Sequence, residues 1–268
     1  MALPETNREI YTRNPLAEVT AQLRFPPILR IEAETPVQFQ EAIRDRYPLY
    51  RRAMATSQLP QEIPPPVRNL IQGMGGGAGP VQHVFETQDR KWSVMLSRET
   101  LTLKTTAYTR WEEFRGQIDR IRATFEQVYR SASYSRLGLR YIDIIRRSIL
   151  GLDGIAWSEL LNASIGGELS APEFGESIDS VNRQMHCKLD GDDRFLWLRT
   201  GIPQPEMAKP STPKEICFLI DCDFHTHGPT EINNVTATLN NFNRASGNLF
   251  RWAIRPRLRD ALQPQPLE

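Results

Sequence analysis

Apolar and polar residues alternate from residue 18 to residue 25: Val19, Ala21, Leu23 and Phe25 interleave with Glu18, Thr20, Gln22 and Arg24. A period of two with one wet face predicts a strand in an antiparallel sheet that is covered on one side. Pro26 and Pro27 end the strand, since neither can donate to a ladder. Thr35, Pro36 and Gln38 then read as a capped helix start, and Phe39, Ile43 and Tyr47 give that helix a buried stripe. Three strands follow at 83–87, 92–97 and 101–108, with gaps of hairpin length between them. The period then changes. Trp111, Phe114, Ile118, Ile121, Phe125, Val128 and Tyr129 form one broad stripe of a long helix, with Thr109 and Glu112 as its capping box.

The second half repeats this order. A strand at 134–147 is apolar on both faces, a short helix is predicted at 155–163, strands at 181–189, 195–202 and 215–226, and a last helix at 231–254. Leu139-Arg140-Tyr141 through Arg146 echoes Leu23-Arg24-Phe25 through Arg30. The expected fold is α+β: internally duplicated β-α-β-β-β-α units, 1–133 and 134–268, forming one curved antiparallel sheet with helices on one face. By analogy this is a TATA-binding-protein-like saddle, which carries no implication of DNA binding. Residues 56–80 break the pattern with prolines and a glycine run at 73–80. With no strand before it and no helix after it, this reads as an insertion and not a phosphate loop.

Composition changes the picture in two places. The net charge of +1 supplies no global field for nucleic acid or membrane, yet Lys91, Lys104, Lys188, Lys209 and Lys214 are the only lysines among 33 basic residues. The remainder are arginines, whose planar fork suits phosphate and carboxylate. Three cysteines without a CxxC pair, together with the lack of a signal-like or membrane-length apolar run, lead us to expect a cytoplasmic protein with reduced thiols.

Three sets of residues bear chemistry. Asp221, Asp223, His225 and His227 share one face of a strand, where two neighbours about 6.5–7 Å apart can share a metal but all four cannot. Arg44, Arg46, Arg51 and Arg52, and again Arg251, Arg255, Arg257 and Arg259, interleave with rings or aliphatic groups in a manner suited to phosphates and bases. Asp143 interrupts an apolar strand, and burial there calls for an ion-pair partner such as Arg140, Arg146 or Arg24. No nucleophile elbow, Walker or dinucleotide fingerprint occurs, so neither a catalytic set nor a cofactor is expected.

Asn14-Pro15-Leu16-Ala17-Glu18-Val19 leading to Arg24-Phe25, followed by Phe39-Gln40, Tyr47-Pro48, Tyr108 with Trp111, and Arg140-Tyr141-Ile142-Asp143, resembles a sporadically distributed bacterial family of about this length with no assigned function. Asp143 stands where that family more commonly has Asn. The resemblance implies no catalytic residues. Its scattered distribution points to an accessory, host-defence or toxin-neutralising component, with the partner encoded nearby. The sequence therefore leads us to expect a non-enzymatic binding protein that docks a protein partner. Nucleic-acid binding through the arginine patches and metal-dependent hydrolysis are the alternatives.

Overall fold

The structure, a computed structural model, describes residues 4–54, 81–190, 193–203 and 215–266. The insertion at 56–80, with its glycine run, lies outside the described residues. The strands in chain order are Glu9–Tyr11 (β1), Leu16–Arg24 (β2), Leu49–Met54 (β3), Val81–Glu86 (β4), Trp92–Leu96 (β5), Thr100–Thr105 (β6), Ser133–Tyr134 (β7), Arg136–Arg146 (β8), Val181–Lys188 (β9), Arg194–Ile202 (β10), Cys217–Thr226 (β11), Thr230–Glu231 (β12) and Pro264–Pro266 (β13). Nine of them form one sheet in the order β3-β4-β5-β6-β2-β8-β11-β10-β9, and all its pairings are antiparallel. The fold is thus α+β on one large antiparallel sheet.

β2 and β8 lie side by side at the middle of this sheet, in register around Gln22 and Gly138. Leu137, Leu139, Tyr141 and Ile145 of β8 point to one face, with Ala21 and Leu23 of β2. They meet the apolar stripes of two long helices, Trp111–Tyr129 and Val235–Ala253. From the first helix Trp111, Phe114, Ile118, Ile121 and Phe125 are buried. Each such side chain contributes about 1.5–3 kcal/mol before entropy is subtracted. The other face carries a small apolar cluster of Ile142, Ile144, Cys217 and Leu219, together with the charged groups described below. β8 is therefore buried on both sides, as the apolar residues on both its faces require. Among the described residues no helix is long and apolar enough to cross a membrane.

Several local features differ from the sequence expectation. The sequence predicts no strand between the helix stripe that ends at Tyr47 and residue 83, whereas Leu49–Met54 forms an additional edge strand, β3, so the large sheet takes five strands from the first half and four from the second. Arg51 and Arg52 mask its alternation. The Trp111–Tyr129 helix starts after Arg110 with no side-chain cap, and the Thr109 hydroxyl donates instead to the Glu113 carboxylate at 2.6 Å. Thr35 likewise caps nothing, since Pro36 takes the N-cap position. The helix expected at 155–163 is two short turns, Trp157–Leu160 and Ala163–Gly166. Between them the Asn162 side chain accepts from the Ser164 amide.

One glycine fixes where the outer strand lies. Gly201 of β10 has φ +147°, and a Cβ built there would sit 1.9 Å from the Val181 carbonyl oxygen of β9. Only glycine permits that approach. Gly201→Ala is expected to cost about 1–3 kcal/mol in urea unfolding, with β9 the segment whose amides lose protection from hydrogen exchange. Unchanged stability and protection would contradict this reading.

Candidate metal centre

The face of the sheet away from the long helices gathers its charges by strand parity. Even-numbered residues of β8 and odd-numbered residues of β10 and β11 share this face, so Arg140, Arg199 and Asp221 converge on it. Asp221 is fully buried, and Arg140 grips it with two charge-assisted bonds, Nε to Oδ1 and Nη2 to Oδ2, each 2.7 Å long. Arg199 Nη1 adds a third at 3.0 Å. Such bidentate geometry offsets the desolvation that a buried carboxylate incurs. Asp223, one step along the strand, receives Arg136 at 3.1 Å. Arg136 lies across Gly138, where a Cβ would come within 2.7 Å of the guanidinium.

Beyond these pairs lie three histidines. His225 and His227 come from the end of β11 and the residue after it, and His186 comes from β9, one strand removed. Strands two apart in a sheet are about 9.6 Å apart, so the imidazoles must lean over β10 to meet. Phe195 and Trp197 of β10 support them: His186 stacks on Trp197 with ring centroids 4.2 Å apart, and His227 meets Phe195 edge-on at 4.6 Å. One ligand nitrogen from each histidine lies within 4.8 Å of the others. His225 is buried, while His186 and His227 are exposed.

The electrostatics suit a ligand role. His225 Nδ1 lies 3.2 Å from the Asp223 carbonyl oxygen, which can only accept, so Nδ1 carries the proton and Nε2 keeps its lone pair. Burial, as the largest cause, holds the His225 pKa below the usual imidazole value despite that hydrogen bond. The ring is accordingly neutral at pH 7, the form that binds metal. With metal–nitrogen bonds of about 2.0–2.1 Å, tetrahedral ligand atoms sit roughly 3.3 Å apart, so an ion would draw the three nitrogens closer than their present spacing of up to 4.8 Å.

Of the four residues expected to serve a metal, the structure brings His225 and His227 together with His186 and assigns Asp221 and Asp223 to arginines. His186 escaped the sequence reading. Its signal was the alternation of β9 combined with the hairpin register that sets His186 opposite Trp197.

Asp143 requires a correction. Arg140 lies three positions away along β8 and therefore on the opposite face, where it serves Asp221. No residue among those described gives the Asp143 carboxyl a hydrogen bond or an ion pair. Arg24 pairs with Glu99 at 3.0 Å.

The arginine patches do not gather on one surface. Arg51 and Arg52 project from opposite faces of β3, and Arg46, Arg51, Arg257 and Arg259 pair with Glu113, Glu86, Glu159 and Glu9. Arg255 donates to the Ser158 carbonyl and Arg251 to Thr6 and Asn248, while Arg44 stays exposed near the end of its helix. No protein-family model and no curated protein matches the chain, so the functional reading rests on this geometry.

Two outcomes follow for stability. Arg140→Met leaves a buried carboxylate short of its main partner and is expected to cost about 3–5 kcal/mol in urea unfolding, with Arg140→Met/Asp221→Leu recovering much of the loss. A single variant as stable as the parent would refute the role given to this pair. Asp143 behaves in the opposite way, because burial first and Asp221 second push its pKa up to about 8 from 3.8. Between those values the folded chain holds a proton that the unfolded chain has released, so stability falls as pH rises, by up to about 1.4 kcal/mol per unit. Asp143→Asn removes that slope, and its advantage over the parent is expected to grow from pH 5 to pH 8. An advantage that stays flat or shrinks over that window would show the parent carboxyl to be ionised and accommodated.

Proposed function

We propose that this chain is a non-enzymatic binding protein whose three-histidine centre takes a divalent cation of the zinc class. One coordination position is left for water or for a donor atom from a docked protein partner. One observation carries the reading: three of the four histidines in the chain converge within 4.8 Å, drawn from two strands that are not adjacent. Three imidazoles with an open fourth position are a ligand set suited to zinc, and nickel or copper compete for it. Binding is favoured over hydrolysis because the nearby carboxylates, Asp221 and Asp223, are held by arginines and neither is free to act as a base.

The same reading takes the sheet to be a duplicated platform. In its support, strands run outward from the central pair as β2-β6-β5-β4 on one side and β8-β11-β10-β9 on the other. Thr20 opposite Arg140 and Arg24 opposite Arg136 exchange places about Gln22 and Gly138. Carried through the ladders, this correspondence sets Gln82, Thr102 and Lys104 where the second half has His186, His225 and His227. The centre thus belongs to one half alone, as a specialised site on a repeated scaffold would.

Calorimetric titration of metal-stripped protein with Zn²⁺, and visible spectra with Co²⁺, test the proposal. One ion per chain with tetrahedral cobalt bands is expected, and His186→Ala or His227→Ala should each weaken binding by about tenfold or more, at about 1.4 kcal/mol per decade. Weak binding without stoichiometry, unaltered in both variants, would remove the reading.

A further inference from the structure

On the helix side of the sheet, away from the histidines, a cleft of about 440 Å³ opens between the N-terminal segment and the two long helices. Asp143 lines it, with 5 % of its surface exposed and no hydrogen-bond or ion-pair partner among the described residues. A break in register between Leu16 and Glu18 of β2 falls opposite this residue. Irregularities of this kind re-aim side chains beside binding sites. The walls are aromatic: Tyr108 and Tyr141 meet edge to face at 6.0 Å, with Trp111 and Phe250 nearby. Trp111 Nε1 donates to Asn240 at 2.8 Å and Asn243 donates to the Tyr141 hydroxyl at 2.9 Å, so the polar groups of the wall hold one another in place.

Charge decides what such a cleft accepts. Five arginines line it against two glutamates and Asp143. Both glutamates are engaged, Glu112 by Arg8 and Arg110 and Glu9 by Arg259. Arg115 and Arg244 have no ion-pair partner among the described residues, and Arg244 is exposed. A cationic guest would face this excess positive charge on its way to Asp143, whereas an anion is drawn in by it.

We propose that this cleft binds a small aromatic carboxylate, its anionic end on Arg115 and Arg244, its ring among Tyr108, Trp111 and Phe250, and an acceptor at its far end on the Asp143 carboxyl. The raised pKa of that carboxyl keeps it protonated at neutral pH and able to donate. An apolar pocket with a few convergent polar groups is the usual form of a small-molecule site.

Titration calorimetry with 4-hydroxybenzoate, and with tyramine as its cationic counterpart, tests this. The carboxylate is expected to bind one per chain with Kd below about 1 mM, and tyramine at least about tenfold more weakly. Arg115→Gln/Arg244→Gln, which alters groups at the solvent end only, should lose about tenfold. Asp143→Asn keeps a donor and should bind nearly as the parent does, while Asp143→Leu should lose about tenfold. Thermal melts report whether each variant folds, and the arginine pair carries the test if the Leu variant does not. Preference for tyramine, indifference to the arginine pair, or no saturable binding of 4-hydroxybenzoate, benzoate or phenyl phosphate would each overturn the proposal.

Discussion

The antiparallel contact between β2 and β8 is the constraint on which the molecule depends. Each strand belongs to a different half of the chain, and their ladder makes one sheet out of two sets of strands. Its register also decides which side chains face the helices. A slip of one residue would turn Leu137, Leu139 and Tyr141 away from the core and carry the even-numbered arginines into it. Burial of those residues on one side and the Arg140–Asp221 pair on the other therefore specify the same alignment, and each penalises the alternatives the other leaves open.

The two buried aspartates show how differently one sheet treats similar groups. Asp221 is reached by two guanidiniums in good geometry, an arrangement that offsets the loss of water around a buried carboxyl group. Asp143, on the other face and one strand over, has no such partner, and its carboxyl holds its proton to about pH 8. The first acts as a structural tie. The second lies on the wall of a cleft, nearly buried and with no hydrogen-bond or ion-pair partner among the described residues, a setting typical of sites of function.

Most elements were legible because periodicity is a local property. The two long helices, the central strand and seven other sheet strands announce themselves by period, and parity alone already separates Arg140 from Asp143. What sequence could not supply was lateral order. His186 meets His225 and His227 only because β10 lies between their strands and carries the flat rings of Phe195 and Trp197. No spacing along the chain encodes that. β3 was hidden for a different reason: two adjacent arginines on an edge strand break its alternation and read as part of a phosphate-binding patch. The missing cap at Thr109 reflects a competition in which a charged carboxylate four residues on outbid a backbone amide.

Among the described residues β9 has a single neighbour in the sheet, and Gly201 lets it sit close to that neighbour. Outermost strands are where a folded protein frays first, opening and reclosing while the interior stays shut. His186 travels with that strand. An ion held jointly by β9 and the end of β11 would act as a clasp on the loosest margin of the molecule, so occupancy and fraying would be two readings of one equilibrium. Whatever approaches that margin would then meet a firm border when the ion is present and a yielding one when it is not.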